Sequence, residues 1–436
     1  MFIEVIAFSK DTGIPLFIHR IRSSESMDRT ESINSALETQ LNYSSVLYGI
    51  RQFGSLMDFQ LEMARDASNQ LKFRWFQTGK ILLILYSNQK QFQNQSLPFH
   101  NNNDDHLQRL LKIICDLIRM ICGENIFNLE NFDLQKRNLK SALPYLNYLT
   151  RSFQSLNNLK RIDSLIQFTK FHPSSIGQRS KLTDSIAQLL NRFNDTIQTW
   201  ALFWNDQIYR TDRYWWKMMS VKNKASTSIV FLITSILETD SDCLEPMRKL
   251  SIWLPNSQNQ SNLLIYRIMP EIKLAVIIPE KIELENFGNE LLANLGRIKL
   301  CPAEFFDEEI KKMDLFFEEI KQTITLPRNF AFFLFDLNNR IYLHYNQKLI
   351  EENQDRLIEL MSVEELFNEN PNHQQKIKNS QWCLGDRFWI FTLSNSHHSI
   401  LVLYNLDIPH QDYGQSRKLF DSTRKLFDYL INRKLF

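Results

Sequence analysis

The amino-acid sequence predicts an α/β chain of the α+β kind, with three consecutive units that each fold as a five-stranded antiparallel sheet with helices on both faces. Three observations predict it. An apolar strand, a polar turn and a second strand recur at three places. Each first strand is apolar at nearly every position, the pattern of a strand covered on both faces. Each hairpin is then followed by the same succession of one helix, three strands and a closing helix, and self-similarity of this kind marks a repeated architecture.

The first hairpin is Ile3–Phe8, the turn Ser9–Gly13 and Ile14–His19. The second is Ile197–Trp204, Asn205-Asp206 and Gln207–Arg210, and the third Phe330–Phe335, Asp336–Asn339 and Arg340–Tyr345. Asp, Asn and Gly supply the turns because they tolerate left-handed or Asx-type geometry. In the first unit Tyr43, Val46, Leu47, Ile50 and Phe53 form a helical stripe closed by Gly54, a residue suited to a helix C′ position. Strands follow at Met57–Met63, Leu71–Phe76 and Ile81–Tyr86. Leu107, Leu110, Leu111, Ile114, Leu117, Ile118 and Ile121 then share one helical face, capped at Asp104 and ended at Gly123.

The second unit offers a helix at Ser226–Glu238, strands at Leu250–Leu254, Leu263–Ile268 and Leu274–Ile278, and helix between Lys281 and Thr325. The third offers a helix at Gln347–Phe367, strands at Gln374–Cys383, Arg387–Leu393 and Ile400–Tyr404, and a closing helix over Tyr413–Leu435. Extra helix over Asn128–Phe171 lengthens the first unit. His172-Pro173-Ser174-Ser175 and Leu326-Pro327-Arg328 are the expected junctions, and Asn88–Asn103 is a solvated, Asn/Gln-rich loop.

Composition narrows the function. The 10 glycines among 436 residues are about 2%, against a usual ~7%, which leaves few for phosphate-cradling loops. A net charge of +2 argues against a nucleic-acid binder acting through bulk charge. The N-terminus reads as a first strand, not a signal peptide, and no apolar run approaches the ~18 residues of a membrane span. The expectation is a cytoplasmic protein, with peripheral membrane contact left open.

Chemistry-bearing motifs are weak. Gly49 and Gly54 have the spacing of a phosphate loop, but Ser55-Leu56 stand where Lys-Ser/Thr is required, so the segment reads as a helix end. Five cysteines without a C-x-x-C indicate neither a disulfide framework nor zinc, and Cys115 and Cys122 read as core. His397-His398 point to opposite faces of an extended chain and read as turn histidines. Thr239-Asp240-Ser241-Asp242 reads as a polar loop. No catalytic residue, cofactor or metal is expected.

Two surface features stand out. Tyr48 lies opposite Val46, Leu47 and Ile50 on the first helix, and is either a contact residue or covered by the extra helices. Trp215-Trp216 follow the second hairpin; either one of them plugs a partner's surface or they anchor a loop within the chain.

Gly13-Ile14-Pro15-Leu16-Phe17, Ser45-Val46-Leu47-Tyr48-Gly49-Ile50 with Phe53-Gly54, and Ile81-Leu82-Leu83-Ile84-Leu85-Tyr86-Ser87 together resemble the Fuzzy family of planar cell polarity and ciliogenesis effectors. The Trp215-Trp216 pair after the second hairpin is similar as well. The sequence departs from the family in Asn88–Asn103 and in its more polar third unit. The resemblance implies three longin-like domains, at 1–173, 174–327 and 328–436, the first with extra C-terminal helices. It implies a heterodimer with an Inturned-like longin protein that binds a Rab-like small GTPase and promotes guanine-nucleotide exchange without covalent catalysis. A WD-repeat ciliogenesis partner, vesicle trafficking and a place in the cytoplasm and cytoskeleton at the ciliary base are implied too. A scaffold without exchange activity is the alternative.

In related exchange factors the first helix carries the GTPase platform, which here corresponds to Asn42–Gln52. With Val46, Leu47, Ile50 and Phe53 expected against the sheet, Ser44, Ser45, Tyr48, Arg51 and Gln52 are expected outward.

Overall fold

The computed structural model describes residues 2–21, 46, 48–53, 63–65, 71–88, 103–146, 169–170, 181–204, 207–212, 214–221, 224–225, 247–255, 257, 259–269, 271–296, 302–327, 329–337, 341–352, 378–384, 388–405 and 413–433. The expected helix Ser226–Glu238, the Asp240/Asp242 loop, the Asn/Gln-rich loop up to residue 102, Ser44, Ser45 and the junction at 173 lie outside these residues. The chain divides into two compact units, Met1–Leu165 with Thr234–Asp240, and Ile166–Ile233 with Ser241–Phe436.

The first unit holds a five-stranded antiparallel sheet of β1 (Phe2–Ser9), β2 (Pro15–Ile21), β3 (Met63–Arg65), β4 (Leu71–Thr78) and β5 (Ile81–Asn88), in the order β2-β1-β5-β4-β3. Alternation along the strands gives each face its own layer. Ile6, Phe8, Phe73, Trp75, Leu82 and Ile84 cluster on one face, where α1 (46, 48–53) lies. The other face takes α2 (Asn103–Cys122), which packs on β4 and β5 and reaches Thr78 Oγ1 from Arg119 Nη2 at 3.4 Å. A 3-10 turn (Glu124–Asn128) and α3 (Phe132–Lys140) follow, and α3 packs on β2.

The second unit contains two further sheets. One is formed by β7 (Thr199–Trp204), β8 (Gln207–Thr211), β11 (Met247–Trp253), β12 (Gln260–Arg267) and β13 (Ile272–Pro279), in the order β11-β12-β13-β7-β8. The other is formed by β14 (Phe330–Asp336), β15 (Ile341–Tyr345), β16 (Lys378–Leu384), β17 (Phe388–Ser394) and β18 (His398–Asn405), in the order β16-β17-β18-β14-β15. A two-residue strand, β6 (Thr169–Lys170), adds to its β15 edge in parallel. A separate ribbon pairs β9 (Ser220–Val221) with β10 (Lys224–Ala225). Written from the hairpin edge, all three sheets therefore share one order: second strand, first, fifth, fourth, third. Both β1 and β7 also carry a register shift against their hairpin partners, at Ala7/Phe8 and at Leu202/Phe203.

The continuous apolar strands behave as their composition demands. All residues of β7 and β14 are buried. On one face of the second sheet Trp200, Leu202 and Trp204 pack with Ile186, Leu189 and Leu190 of α4 (Lys181–Asn191) and with Phe287, Leu291 and Leu295 of α6 (Leu284–Gly296). In the third sheet Phe330, Phe332 and Leu334 pack with Phe317 and Ile320 of α7 (Pro302–Thr323) and with Leu426, Phe427 and Leu430 of α9 (Tyr413–Asn432). The alternate residues Ala331, Phe333 and Phe335 are equally buried, and α8 (Gln347–Glu352) contacts β14. Burying a Phe is worth about 1.5–3 kcal/mol, so strands of this composition commit strongly to a two-sided core.

Residue 327, expected at a domain junction, lies within the second unit. Among the described residues no helix is long and apolar enough to cross a membrane.

Candidate interaction surface on the first helix

The end of the first sheet is built from three turns that hydrogen-bond to one another. Between β1 and β2, Gly13 N donates to Ser9 O at 2.9 Å, and Gly13 adopts φ +68°, a region L-residues rarely occupy. Lys10 N donates to Lys80 O at 2.8 Å in the β4–β5 turn, and Lys80 N donates to Phe127 O at 2.6 Å in the 3-10 turn. Lys80 Nζ lies 3.6 Å from Asp11 Oδ2 and 3.4 Å from Glu130 Oε1. These ion pairs are largely solvated and add little energy, so the backbone bonds carry the rigidity.

Tyr48 ties α1 to this frame. Its ring packs on Phe8, with centroids 5.7 Å apart, and joins the apolar cluster on that face. Its hydroxyl donates to Lys10 O at 2.6 Å and accepts from Gln52 Nε2 at 2.7 Å. A Cβ at Gly13 would sit 2.6 Å from Tyr48 Cε1, so the absence of a side chain at 13 is what lets the tyrosine in. Tyr48, Arg51 and Gln52 are each half-buried. Two guanidinium nitrogens of Arg51, Nε and Nη1, are shielded from solvent with no hydrogen-bond partner among the described residues.

The helix is therefore turned opposite to the sequence expectation. Val46, Ile50 and Phe53, expected against the sheet, are 59%, 43% and 66% exposed. Tyr48 and Gln52, expected outward, face the sheet end. The physical reason is the chemistry of that site: it offers a free carbonyl at Lys10 beside an aromatic face, which a tyrosine satisfies and an aliphatic residue does not. The i, i+4, i+7 spacing of Val46, Ile50 and Phe53 makes a continuous apolar stripe on the outside of a fixed helix. Sequence reasoning missed this stripe as a surface. The available signal was the glycine at 13, whose close approach admits an aromatic ring, together with Gln52 one turn after Tyr48.

Trp215 and Trp216 lie in a helical turn, α5 (Trp215–Met218), after the second hairpin. Asp212 Oδ1 organises that turn, accepting from Tyr214 N at 3.1 Å, Trp215 N at 2.8 Å and Thr199 Oγ1 at 2.5 Å. Burial raises the Asp212 pKa, and these hydrogen bonds oppose the shift. Trp215 is wholly buried, its ring edge-on to Phe203 at 6.3 Å, so this tryptophan plugs its own sheet and presents nothing to a partner. Trp216 is half-buried, and Tyr214 is 44% exposed.

The remaining candidates have structural surroundings. Cys115 is buried, and burial pushes its thiol up. The Cys122 thiol donates to Asn138 O at 3.3 Å and is pushed up to about 11 by burial. His397 and His398 donate their backbone N–H groups to Asn395 Oδ1 at 2.8 and 2.7 Å, which makes them part of an Asx-type turn. Among the described residues no group of three His, Cys, Asp or Glu is placed to hold a metal. No protein-family model and no curated protein matches this chain.

Proposed function

We propose that the chain is a Fuzzy-like, tri-longin subunit of a heterodimer with an Inturned-like longin protein, which binds a Rab-like small GTPase and promotes its nucleotide exchange. The observation that carries this reading is the exposed Val46/Ile50/Phe53 stripe on a helix pinned to the first sheet by Tyr48. An apolar stripe on a rigid helix suits a partner with a shallow, apolar switch surface, because little ordering entropy is lost on docking. The thrice-repeated strand order supports the tri-longin part of the reading.

Exchange by such a surface requires differential affinity only. The subunit binds the nucleotide-free GTPase more tightly than the loaded form and so shifts the population toward release. In this reading the assembly, with its WD-repeat partner, serves planar polarity and ciliogenesis at the ciliary base. The test is release of a fluorescent nucleotide from candidate Rab-like GTPases, with the chain and its longin partner added together and singly. Accelerated release by the pair supports exchange activity. Stable binding with an unchanged release rate identifies a scaffold.

A further inference from the structure

We infer that Thr169–Lys170 is a strap that couples the second and third sheets into one cooperative unit, and that its release uncovers the hairpin edges of both. The pairing is Ile341 with Thr169 and Tyr342 with Lys170, in parallel, within a sheet whose other five strands are antiparallel. A parallel neighbour cannot be reached by a tight turn, so β6 is a docked segment and not a sixth member of the repeat. Among the described residues, the first two sheets have the same five-strand order and no such addition. β6 also lies beside β8, the hairpin edge of the second sheet. One short segment thus touches the corresponding edge strand of both sheets, at residues 207–211 and 341–345.

The edge sequences explain why one edge needs covering. An edge strand is protected from unwanted pairing by Lys, Arg or Pro. β2 carries Pro15 and Arg20, β3 Arg65, β8 Arg210, β11 Arg248 and Lys249, and β16 Lys378. β15, Ile-Tyr-Leu-His-Tyr, has no Lys, Arg or Pro, and its Tyr342 and Leu343 are fully buried. The strap lays the backbone of Thr169–Lys170 along this edge and pairs with it. Two residue pairs give a weak grip, the kind of contact that opens locally before the sheets themselves unfold.

Native-state hydrogen exchange and calorimetry on the full chain test this. In the wild type, the amides of 169–170 and of β15 should share one opening event, which also loosens β8. Replacing both residues by proline (Thr169→Pro with Lys170→Pro) removes both N–H donors. Exchange at β15 should then accelerate roughly tenfold or more, and the single melting transition of the second unit should split into two. The Thr169→Ala, Lys170→Ala chain, which keeps the backbone donors, should behave as wild type. The inference is overturned if wild-type β15 stays protected while 169–170 exchange freely. It is equally overturned if the proline chain retains one transition and unchanged β15 exchange.

Discussion

The first and second hairpins each receive an aromatic anchor, and the two anchors leave different surfaces behind. Tyr48 packs on Phe8 beside the register shift in β1, and Trp215 packs on Phe203 beside the one in β7. Trp215 is wholly buried in a four-residue helix whose N-terminus Asp212 already satisfies. Tyr48 is half-buried on a longer helix, and its hydroxyl consumes the acceptor that fixes the helix rotation. The second anchor only completes a core. The first completes a core and also turns three apolar side chains to the outside.

The largest effect that tests this contrast is at Trp215. Trp215→Ala should cost about 3–5 kcal/mol through an unfilled cavity, measured by denaturant unfolding, with GTPase binding by the folded fraction unchanged. Tyr48→Ala should cost about 1–3 kcal/mol, because the ring is less buried. Tyr48→Phe, which keeps the ring and loses the hydroxyl bonds, should cost about 0.5–1.5 kcal/mol. A Tyr48→Ala chain of wild-type stability would mean that the helix is not anchored as described. Gly13→Ala should destabilise by about 1–2 kcal/mol, since it strains a positive φ and presses on the Tyr48 ring. Gly13→Ala combined with Tyr48→Ala should cost less than the sum of the two, because part of the strain disappears with the ring.

The fold was legible to the extent that local pattern decides it. Continuous apolar runs at Ile81–Leu85 and Phe330–Phe335 place strands covered on both faces, and the described strands overlap the expected ones in all three sheets. The parallel β6 was not legible, because two residues carry no period and their partner lies far along the chain. The rotation of α1 was misjudged for a related reason. A helical apolar stripe looks the same whether it meets the chain's own sheet or another protein. Only the acceptor at Lys10 and the space above Gly13 decide, and both come from a distant turn.

The smallest effect concerns Cys122, on α2 of the first unit. Its ordinary value of 9.0 is raised to about 11 in the folded chain by burial, so the folded state holds the thiol proton more tightly than the unfolded state does. The contribution to stability is therefore complete below about 9 and is lost as the pH rises toward about 11. Alkylation of Cys122 should be slow at pH 8 in the native chain and rapid after unfolding, as mass spectrometry would show. Fast native alkylation would mean that α2 and α3 are less closely packed than the Cys122–Asn138 bond indicates.

The central proposal is that the outer stripe of α1, and not its Tyr48 face, meets a small GTPase. The most direct measurement pairs thermal melting with GTPase binding on one protein, Ile50→Glu with Phe53→Glu, purified with the proposed longin partner. The stripe is exposed, so melting should stay within about 0.5 kcal/mol of wild type. Binding of the nucleotide-free GTPase should fall by about 2 kcal/mol or more, with the loss of accelerated release. Unchanged binding and release by a normally folded double variant would contradict the account.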